Sequence, residues 1–443
     1  MAERWTAAQV NSLAPDPAGQ KAGAKLGVPG PWSGIGYLED ERLLWGDCKG
    51  SGSKPYQVTV SVADSDTAYQ CTCPSRKFPC KHALGLLLLW AAGTVRDTEE
   101  LPERVQAWSD SRKDRAEKSA ARSVAKAEKA AADPEGVAKR AAQRAERIGN
   151  GLADLDRWLA DQIAAGLSDP ATLSYGAVDP VAKRLVDAQA SGVAGRVRTL
   201  PGTRSAAGDA WPDAVLAEFS RLHLLCQAWT RLADLPPTMQ DTVRRRIGIS
   251  VDTDTVRRDG ERVAGRWHVL GSRDRAAEKL TERRIWLRDA ESGRLAMLLA
   301  FGAMQQAPTL ALPVGAVYRA EMAFHSEALP LRAQMETGEV VTTDTAAAPA
   351  GGTLQAAAEE FAAALAVDPW QEGWPVVIAD AVPDRTGELA DAQGRRVPLI
   401  SDETALWRLL AVSGGHPVTL FGEYTDAGLE PLTVWADGSA VGL

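Results

Sequence analysis

Cysteine, histidine and long apolar runs are scarce in this sequence of 443 residues. It contains 5 cysteines and 5 histidines. Its longest apolar stretch, residues 83–92, falls well short of the roughly 20 residues that a membrane-spanning helix needs. The amino end also lacks the apolar core of a signal peptide. The sequence therefore predicts a cytoplasmic protein without a membrane span.

An excess of positive charge is lacking as well. The formal net charge is -8 and the sequence pI is about 5.4, so the chain does not attract nucleic acid through its overall field. Any contact with nucleic acid would have to be local. A hydrophobic content of 45% and a charged content of 24% are ordinary for a globular protein, and the length suggests roughly three domains.

Familiar catalytic signatures are absent from the sequence. It contains no serine elbow, Walker, HExxH, dinucleotide-binding or kinase motif. Residues 325–327, His-Ser-Glu, begin like a zinc deaminase motif, but no cysteine follows Cys226 to complete it. Residues 413–416, Ser-Gly-Gly-His, offer a hydroxyl and an imidazole, although a glycine pair is equally what a helix end requires. We expect a protein that is not an enzyme, with an unrecognised C-terminal site near His416 or His268 as the enzymatic alternative.

Four residues that can bind a metal lie within twelve positions, and they are Cys71, Cys73, Cys80 and His82. Residues 56–62 alternate apolar and polar side chains, and residues 68–73 can return as the second strand of a hairpin after a turn at 64–66. Because strand side chains repeat every second position, Cys71 and Cys73 are expected on one face. Cys80 and His82 come where the chain enters an apolar run that reads as a helix.

Three thiolates and one imidazole are the ligand set of a closed, tetrahedral zinc site. All four coordination positions would be filled by the protein, so none is left for a reactive water. We therefore expect structural zinc. Disulfides are the competing interpretation, but neighbouring Cys-x-Cys thiols pair badly and an intracellular chain keeps them reduced.

The order Cys-x-Cys, a short gap, then Cys-x-His on a ββα unit resembles the SWIM-type zinc finger. All four ligand positions are present, and the resemblance covers about the first fifth of the chain. It implies zinc as cofactor and a protein-binding or DNA-binding role for residues of about 50–95. For bacterial chains of this layout, the resemblance also implies AAA-type ATPases or von Willebrand A-type proteins as partners.

The other cysteines are weaker candidates for metal ligands. Cys48 is not needed to complete four ligands and is expected in the core or in a turn. His223 and Cys226 are three residues apart on a predicted helix and form a possible metal pair. Both are better explained as residues near an apolar face.

A second possible function is nucleic-acid binding through the basic edge of the finger, formed by Arg76, Lys77 and Lys81. Phe78 and Tyr69 could add stacking surface there. In residues 101–149 basic residues outnumber acidic ones, so this stretch is either a basic arm or a solvated helix with opposite-charge pairs. We expect a zinc-binding interaction protein, with a nucleic-acid-binding factor as the alternative.

The period of the apolar pattern predicts an α+β, multidomain fold. Helical stripes run from Leu152 to Leu232, one of them starting after Pro180 and the last stopped at Pro236, and the period shifts toward two after residue 250. The predicted regions are an N-terminal unit with a ββα zinc finger (1–96), a charged helical linker (97–150), a helical domain (151–250), a β-rich domain (251–342) and, after a linker, an α+β domain (354–443).

Overall fold

The computed structural model confirms a multidomain α+β architecture. It describes residues 4–50, 52–62, 67–75, 77, 79–166, 173–206, 211–277, 280–303, 308, 310–342 and 348–443, a few of them inside helices and strands by their backbone alone. The turn predicted at 64–66 and residues 343–347 of the predicted linker lie outside the described residues. None of the helices in this described part is both long and apolar enough to cross a bilayer.

The N-terminal unit is a four-stranded antiparallel sheet with one apolar helix across it. Its elements are α1 (Ala7–Ser12), α2 (Pro17–Ala24), β1 (Trp32–Leu38), β2 (Leu43–Cys48), β3 (Tyr56–Ser61), β4 (Ala68–Cys71) and α3 (Lys81–Ala91). Trp90 on α3 lies at the centre of the core, with ring centroids 5.8 Å from Trp5 and 5.6 Å from Tyr37. The sheet gives α3 more apolar surface to cover than a two-stranded hairpin offers.

The middle of the chain is helical, as predicted. Its helices are α4 (Glu103–Ala132), α5 (Pro134–Ala165), α6 (Tyr175–Asp187), α7 (Ser191–Ala206), α8 (Trp211–Thr230), α9 (Pro237–Ile247) and α10 (Thr253–Asp259). We call α5–α9 the helical domain. Its core is a single apolar cluster that includes Leu152, Leu185, Phe219 and Ile247.

Several helix boundaries differ from the sequence prediction. Helix α5 runs without a break through residue 150, where the linker was expected to end. Pro180 lies inside α6 and does not precede it. The apolar pattern gave no sign of α7. Pro236-Pro237 was interpreted as the end of the preceding helical stripe, whereas Pro237 is the first residue of α9. Proline is well suited to this position because the first amide of a helix has no intrahelical acceptor.

The β-rich region is a closed five-stranded barrel. Its strands are β5 (Glu261–Ala277), β6 (Leu280–Asp289), β7 (Leu295–Ala303), β8 (Val317–Phe324) and β9 (Arg332–Thr342). They follow one another round the barrel as β5, β6, β7, β9 and β8, and β7 pairs with β9 in parallel. This connectivity is that of OB-type barrels. Trp267, Tyr318 and Phe324 fill the interior.

The C-terminal domain combines a six-stranded sheet with two helices. Its elements are α11 (Leu354–Val367), β10 (Trp374–Pro383), β11 (Glu388–Ala390), β12 (Arg396–Pro398), α12 (Glu403–Ser413), β13 (Val418–Thr425), β14 (Gly428–Ala436) and β15 (Ser439–Gly442). Phe421 and Trp435 of this sheet pack on Leu270 and Trp286 of the barrel. The C-terminal sheet therefore covers part of the outer surface of β5 and β6.

Buried charges join the helical domain to both β domains. Arg245 on α9 forms an ion pair with Glu327 of the β8–β9 loop, with Nε 2.6 Å from the carboxylate. The neighbouring Arg246 contacts Asp368, just after α11, at 2.6 Å. Trp370, two residues later, lies in the core of the helical domain and donates from Nε1 to the carbonyl of Arg221 at 2.9 Å.

Candidate metal centre

The β3–β4 hairpin and the start of α3 bring the four predicted metal ligands together. Val58 pairs with Cys71 across the hairpin, which fixes the first cysteine at the end of β4. Cys73 lies two residues past the end of that strand. Cys80 caps the N-terminus of α3, and His82 is in its first turn. The expectation that Cys73 belongs to the strand was thus wrong, because β4 ends at Cys71 and the hairpin's last backbone bond, from the amide of Thr72 to the carbonyl of Gln57, comes before Cys73.

The distances among the four side chains suit one metal ion. The ligand atoms all lie within 4.8 Å of one another. Nδ1 of His82 is 3.8 Å from Sγ of Cys71 and 4.0 Å from Sγ of Cys80. Two sulfurs on one tetrahedral zinc are about 3.7 Å apart, since each Zn–S bond is about 2.3 Å. The Cys3His cluster therefore fits zinc in size and in donor chemistry.

The cluster lies at the edge of the N-terminal core. Cys73, Cys80 and His82 are buried, and Cys71 is half-buried. The ring of Tyr56 stands 4.8 Å from that of His82. Four protein ligands in such surroundings leave no open coordination position, which is the arrangement of a structural site.

Each of the three thiols affects how readily its neighbours lose a proton. A hydrogen bond from Cys71 lowers the pKa of Cys80, and the backbone amide of Ala83 at the start of α3 adds to this effect. The same contact raises the pKa of Cys71, and burial raises that of Cys73. A divalent cation removes this conflict because it stabilises all thiolates at once.

The residues of the predicted basic edge are only partly described. Lys81 is exposed in the first turn of α3. Lys77 is exposed and forms an ion pair with Asp16, the N-cap of α2. Arg76 and Phe78 lie outside the described residues. Tyr69 packs against the N-terminal core, and burial raises the pKa of its hydroxyl.

The two remaining cysteines are separate from this cluster. Cys48 and Cys226 are both buried. Cys226 belongs to the core of the helical domain, as the apolar pattern predicted. His223 is exposed and contacts Asp156 through Nδ1 at 2.6 Å, so it makes no pair with Cys226. Among the described residues, no other set of three or more His, Cys, Asp and Glu side chains has the spacing of a metal site.

The two histidines considered for catalysis lie in different surroundings. His416 is exposed in a turn after α12, which ends at the left-handed Gly414. The hydroxyl of Ser413 donates to the carbonyl of Leu410. His268 lies edge-on to Trp435 with ring centroids 6.1 Å apart. Burial first, and then the charge of Arg288, lower the pKa of His268 to about 4.

Comparison with known families found two matches in this chain. Residues 56–91 match the SWIM zinc finger, and residues 143–247 match the SWIM-associated four-helix bundle domain. No curated protein and no solved structure matches the chain. The apolar stripes of the second segment predict helices but give no sign of a link to the finger, since they resemble those of any helical core. The two matches and the Cys3His geometry together show that the chain carries a SWIM-type zinc finger and a SWIM-associated four-helix bundle.

Proposed function

We propose that this chain is a non-enzymatic interaction protein whose zinc-stapled finger presents a groove to a segment of a partner protein. The observation that carries this proposal is a groove with a volume of about 550 Å³ between α2 and the metal ligands. It is the surface most directly shaped by the metal, because Cys73, Cys80 and His82 form part of its lining.

The groove combines an apolar floor with basic edges. Ala22 and Leu26 on one side, and Tyr56, Pro74 and Pro79 on the other, supply the apolar surface. Prolines beside the metal ligands cannot extend the strand ladder, so the groove stays open to an incoming chain. A partner segment with apolar side chains could bury them here.

The charged lining residues favour an acidic partner. Lys49, Lys77 and Lys81 line the groove. Lys77 already pairs with Asp16, but Lys49 and Lys81 are exposed and no ion pair of theirs occurs among the described residues. We infer that the groove receives an extended segment in which acidic residues flank apolar ones.

Nucleic-acid binding is the less favoured function. In α4, Arg104 pairs with Asp47 and Lys113 with Glu41, which supports the interpretation as a solvated helix. OB-type barrels bind oligonucleotides on the face of their second and third strands and through two loops, one between the first two strands and one between the last two. Here Trp286 of that face is buried against the C-terminal sheet, and Glu327 in the loop between the last two strands is paired with Arg245.

The metal itself supports a binding role over a catalytic one, because a fully ligated zinc activates no water. The family resemblance makes AAA-type ATPases and von Willebrand A-type proteins the first partners to test.

The full-length chain would be purified from cells in three forms: wild type, Lys49→Glu/Lys81→Glu, and the matched control Lys139→Glu/Arg395→Glu. Lys139 and Arg395 are exposed and belong to α5 and the C-terminal domain.

We expect a partner protein that co-purifies with the wild type and the control variant even after nuclease treatment, and that is lost only from the Lys49→Glu/Lys81→Glu variant. This partner, purified, should bind the wild type directly in calorimetry, with affinity reduced roughly tenfold or more by the two reversals near the groove. Elemental analysis must show equal zinc in all forms. Two results would favour the nucleic-acid function. One is loss of the partner on nuclease treatment, and the other is binding of labelled DNA that depends steeply on salt and requires Lys49 and Lys81. If neither kind of partner depends on these lysines, the proposed groove is wrong.

A further inference from the structure

A large cleft in the described part of the chain lies where three regions meet. It has a volume of about 960 Å³. The α1–α2 segment forms one wall, β5, β6 and residues 311–314 form the second, and the C-terminal domain forms the third. This volume is at the upper end of the range of small-molecule pockets, which occur preferentially at domain interfaces.

Direct contacts fix the walls of this cleft. The amide of Val314 donates to Oγ of Ser12 at 3.1 Å, and Ala311 packs into the core of the N-terminal unit. Arg273 of β5 forms ion pairs with Glu423 and Glu430 of the C-terminal sheet. The cleft is therefore a preformed space between regions that are joined on either side of it.

Most charged groups in the walls already have partners. Arg283 binds both carboxylate oxygens of Asp274, at 2.6 and 2.7 Å. Glu430 forms ion pairs with Arg273 and Arg275. Asp402 caps α12 by accepting from the amide of Ala405 at 2.8 Å. These groups maintain the walls: Arg283 and Glu430 are in ion pairs, and Asp402 is bonded to a backbone amide.

Arg408 is the exception among the charged groups of the cleft. It lies on α12, is half-buried, and its side chain contacts Oε1 of Gln20 at 3.4 Å, with no carboxylate within ion-pair distance among the described residues. Burial alone lowers its pKa, without an opposing contribution from an acidic group. A half-buried guanidinium without an anion is costly, and its planar fork is suited to carboxylate and phosphate groups.

The rest of the lining supplies apolar surface. Leu312, Leu432 and Ala440 are buried side chains that border the cleft, and Ile400 is partly exposed at its edge. We propose that the cleft binds a small amphipathic anion, with a carboxylate or phosphate on Arg408 and an apolar body against Leu312 and Leu432. The cleft contains none of the metal ligands, and it shares only Pro15 and Asp16 with the groove beside the metal centre.

The test uses the full-length protein and four probes with the same chain: octanoate, octyl phosphate, octylamine and 1-octanol. Calorimetry is expected to show saturable binding of octanoate or octyl phosphate to the wild type, and the stronger of the two identifies the preferred anionic group. Arg408→Gln should weaken this binding by roughly tenfold or more. Arg395→Gln, the matched control at an exposed arginine of the same domain, should leave it unchanged.

A second variant keeps the test decisive if Arg408→Gln fails to fold. Ala405 lines the cleft one turn before Arg408, and Ala405→Phe should fill part of the space and abolish binding while the circular dichroism spectrum stays that of the wild type. The proposal is overturned if no anionic probe binds the wild type, if octylamine or 1-octanol binds as well as the anions, or if a folded Arg408→Gln or Ala405→Phe variant binds like the wild type.

Discussion

Cys73 shows how a single residue can carry the structure of the finger. It is buried and lies beyond the hairpin's last backbone bond, which the amide of Thr72 donates, so its position depends on a metal ion shared with Cys71, Cys80 and His82. The free energy of zinc binding in such modules is on the order of 10 kcal/mol and is folding free energy. The metal thus replaces a larger apolar core at this edge of the N-terminal unit.

Replacing Cys73 should therefore remove both metal and local structure. We expect Cys73→Ser to lower zinc content well below one ion per chain, measured by elemental analysis, and to unfold the finger in hydrogen-exchange experiments. Cys226→Ala is the matched control, because Cys226 is equally buried but lies in the helical core. It should keep its zinc and lose only about 1–2 kcal/mol of stability. Full zinc occupancy in Cys73→Ser would contradict the ligand assignment.

His268 should make stability depend on pH. Burial first, and then Arg288, lower its pKa from the ordinary 6.5 to about 4, so the unfolded chain binds a proton that the folded chain does not. The contribution is present above pH 6.5 and is lost as the pH falls toward 4, by about 1.4 kcal/mol per pKa unit. Urea unfolding of His268→Phe should show a shallower pH dependence than the wild type.

Part of the pH dependence should remain in that variant. Burial, then Arg332 and Arg245, also lower the pKa of His325 to about 4. The double variant His268→Phe/His325→Phe is therefore expected to have the flattest profile. Identical slopes in the wild type and in His268→Phe would show that the buried imidazole is not the source.

At the scale of elements, the helical domain depends on a close approach of α7 and α9. A Cβ on Gly192 would lie 2.4 Å from the carbonyl oxygen of Arg246. The N-terminus of α7 can therefore meet the end of α9 only because position 192 has no side chain. Sequence patterns gave no sign of α7, since its apolar residues are interrupted by glycine, arginine and Pro201.

Two alanine substitutions in α7 should act in opposite directions. Gly192→Ala should destabilise the domain by about 1–3 kcal/mol because the backbone of α9 must move. Gly195→Ala meets no atom within 4 Å and should stabilise it by roughly 0.5–1 kcal/mol, the helix propensity of alanine over glycine. Thermal unfolding of the two variants measures the difference, and equal effects would mean that α7 and α9 do not pack as described.

At the scale of the whole molecule, residues 368–371 fasten the C-terminal domain to the helical domain. Asp368 is 1% exposed and accepts from Arg246, 122 residues earlier in the chain. Arg245 is 3.8 Å from the same carboxylate and also binds Glu327. Removing one member of such a buried network leaves charges without compensation, which costs more than the pair itself contributes.

Asp368→Asn should therefore destabilise the protein by about 3–5 kcal/mol in urea unfolding. It should also expose the α9 region to limited proteolysis, since the helical domain loses its attachment. Asp259→Asn is the matched control at an exposed ion pair with Arg258, and it should have no measurable effect. A wild-type proteolysis pattern in Asp368→Asn would place the attachment elsewhere.

The amino-acid sequence by itself determined the features that depend on neighbouring residues. The metal ligands lie within twelve positions, and their spacing on a hairpin and a helix start predicts convergence without knowledge of the rest of the chain. The longer amphipathic and alternating stretches, such as α8, the β6–β7 hairpin, α11 and β13, were predictable for the same reason. The helix through Pro180 was not predictable, because packing overrides local propensity there. The helix start at Pro237 was not either, because a proline can both end one helix and begin the next.

Only the tertiary structure decided what depends on distant residues. Several features join segments that lie far apart in the chain. They are the four-stranded sheet under α3, the order of the barrel strands, the burial of Trp370 in another domain and the isolation of Arg408 in a cleft. A residue's burial and ion partners are set by such contacts, and side-chain chemistry alone does not fix them. The sequence thus specified the zinc centre, while the folded molecule determined which surfaces remain free to bind.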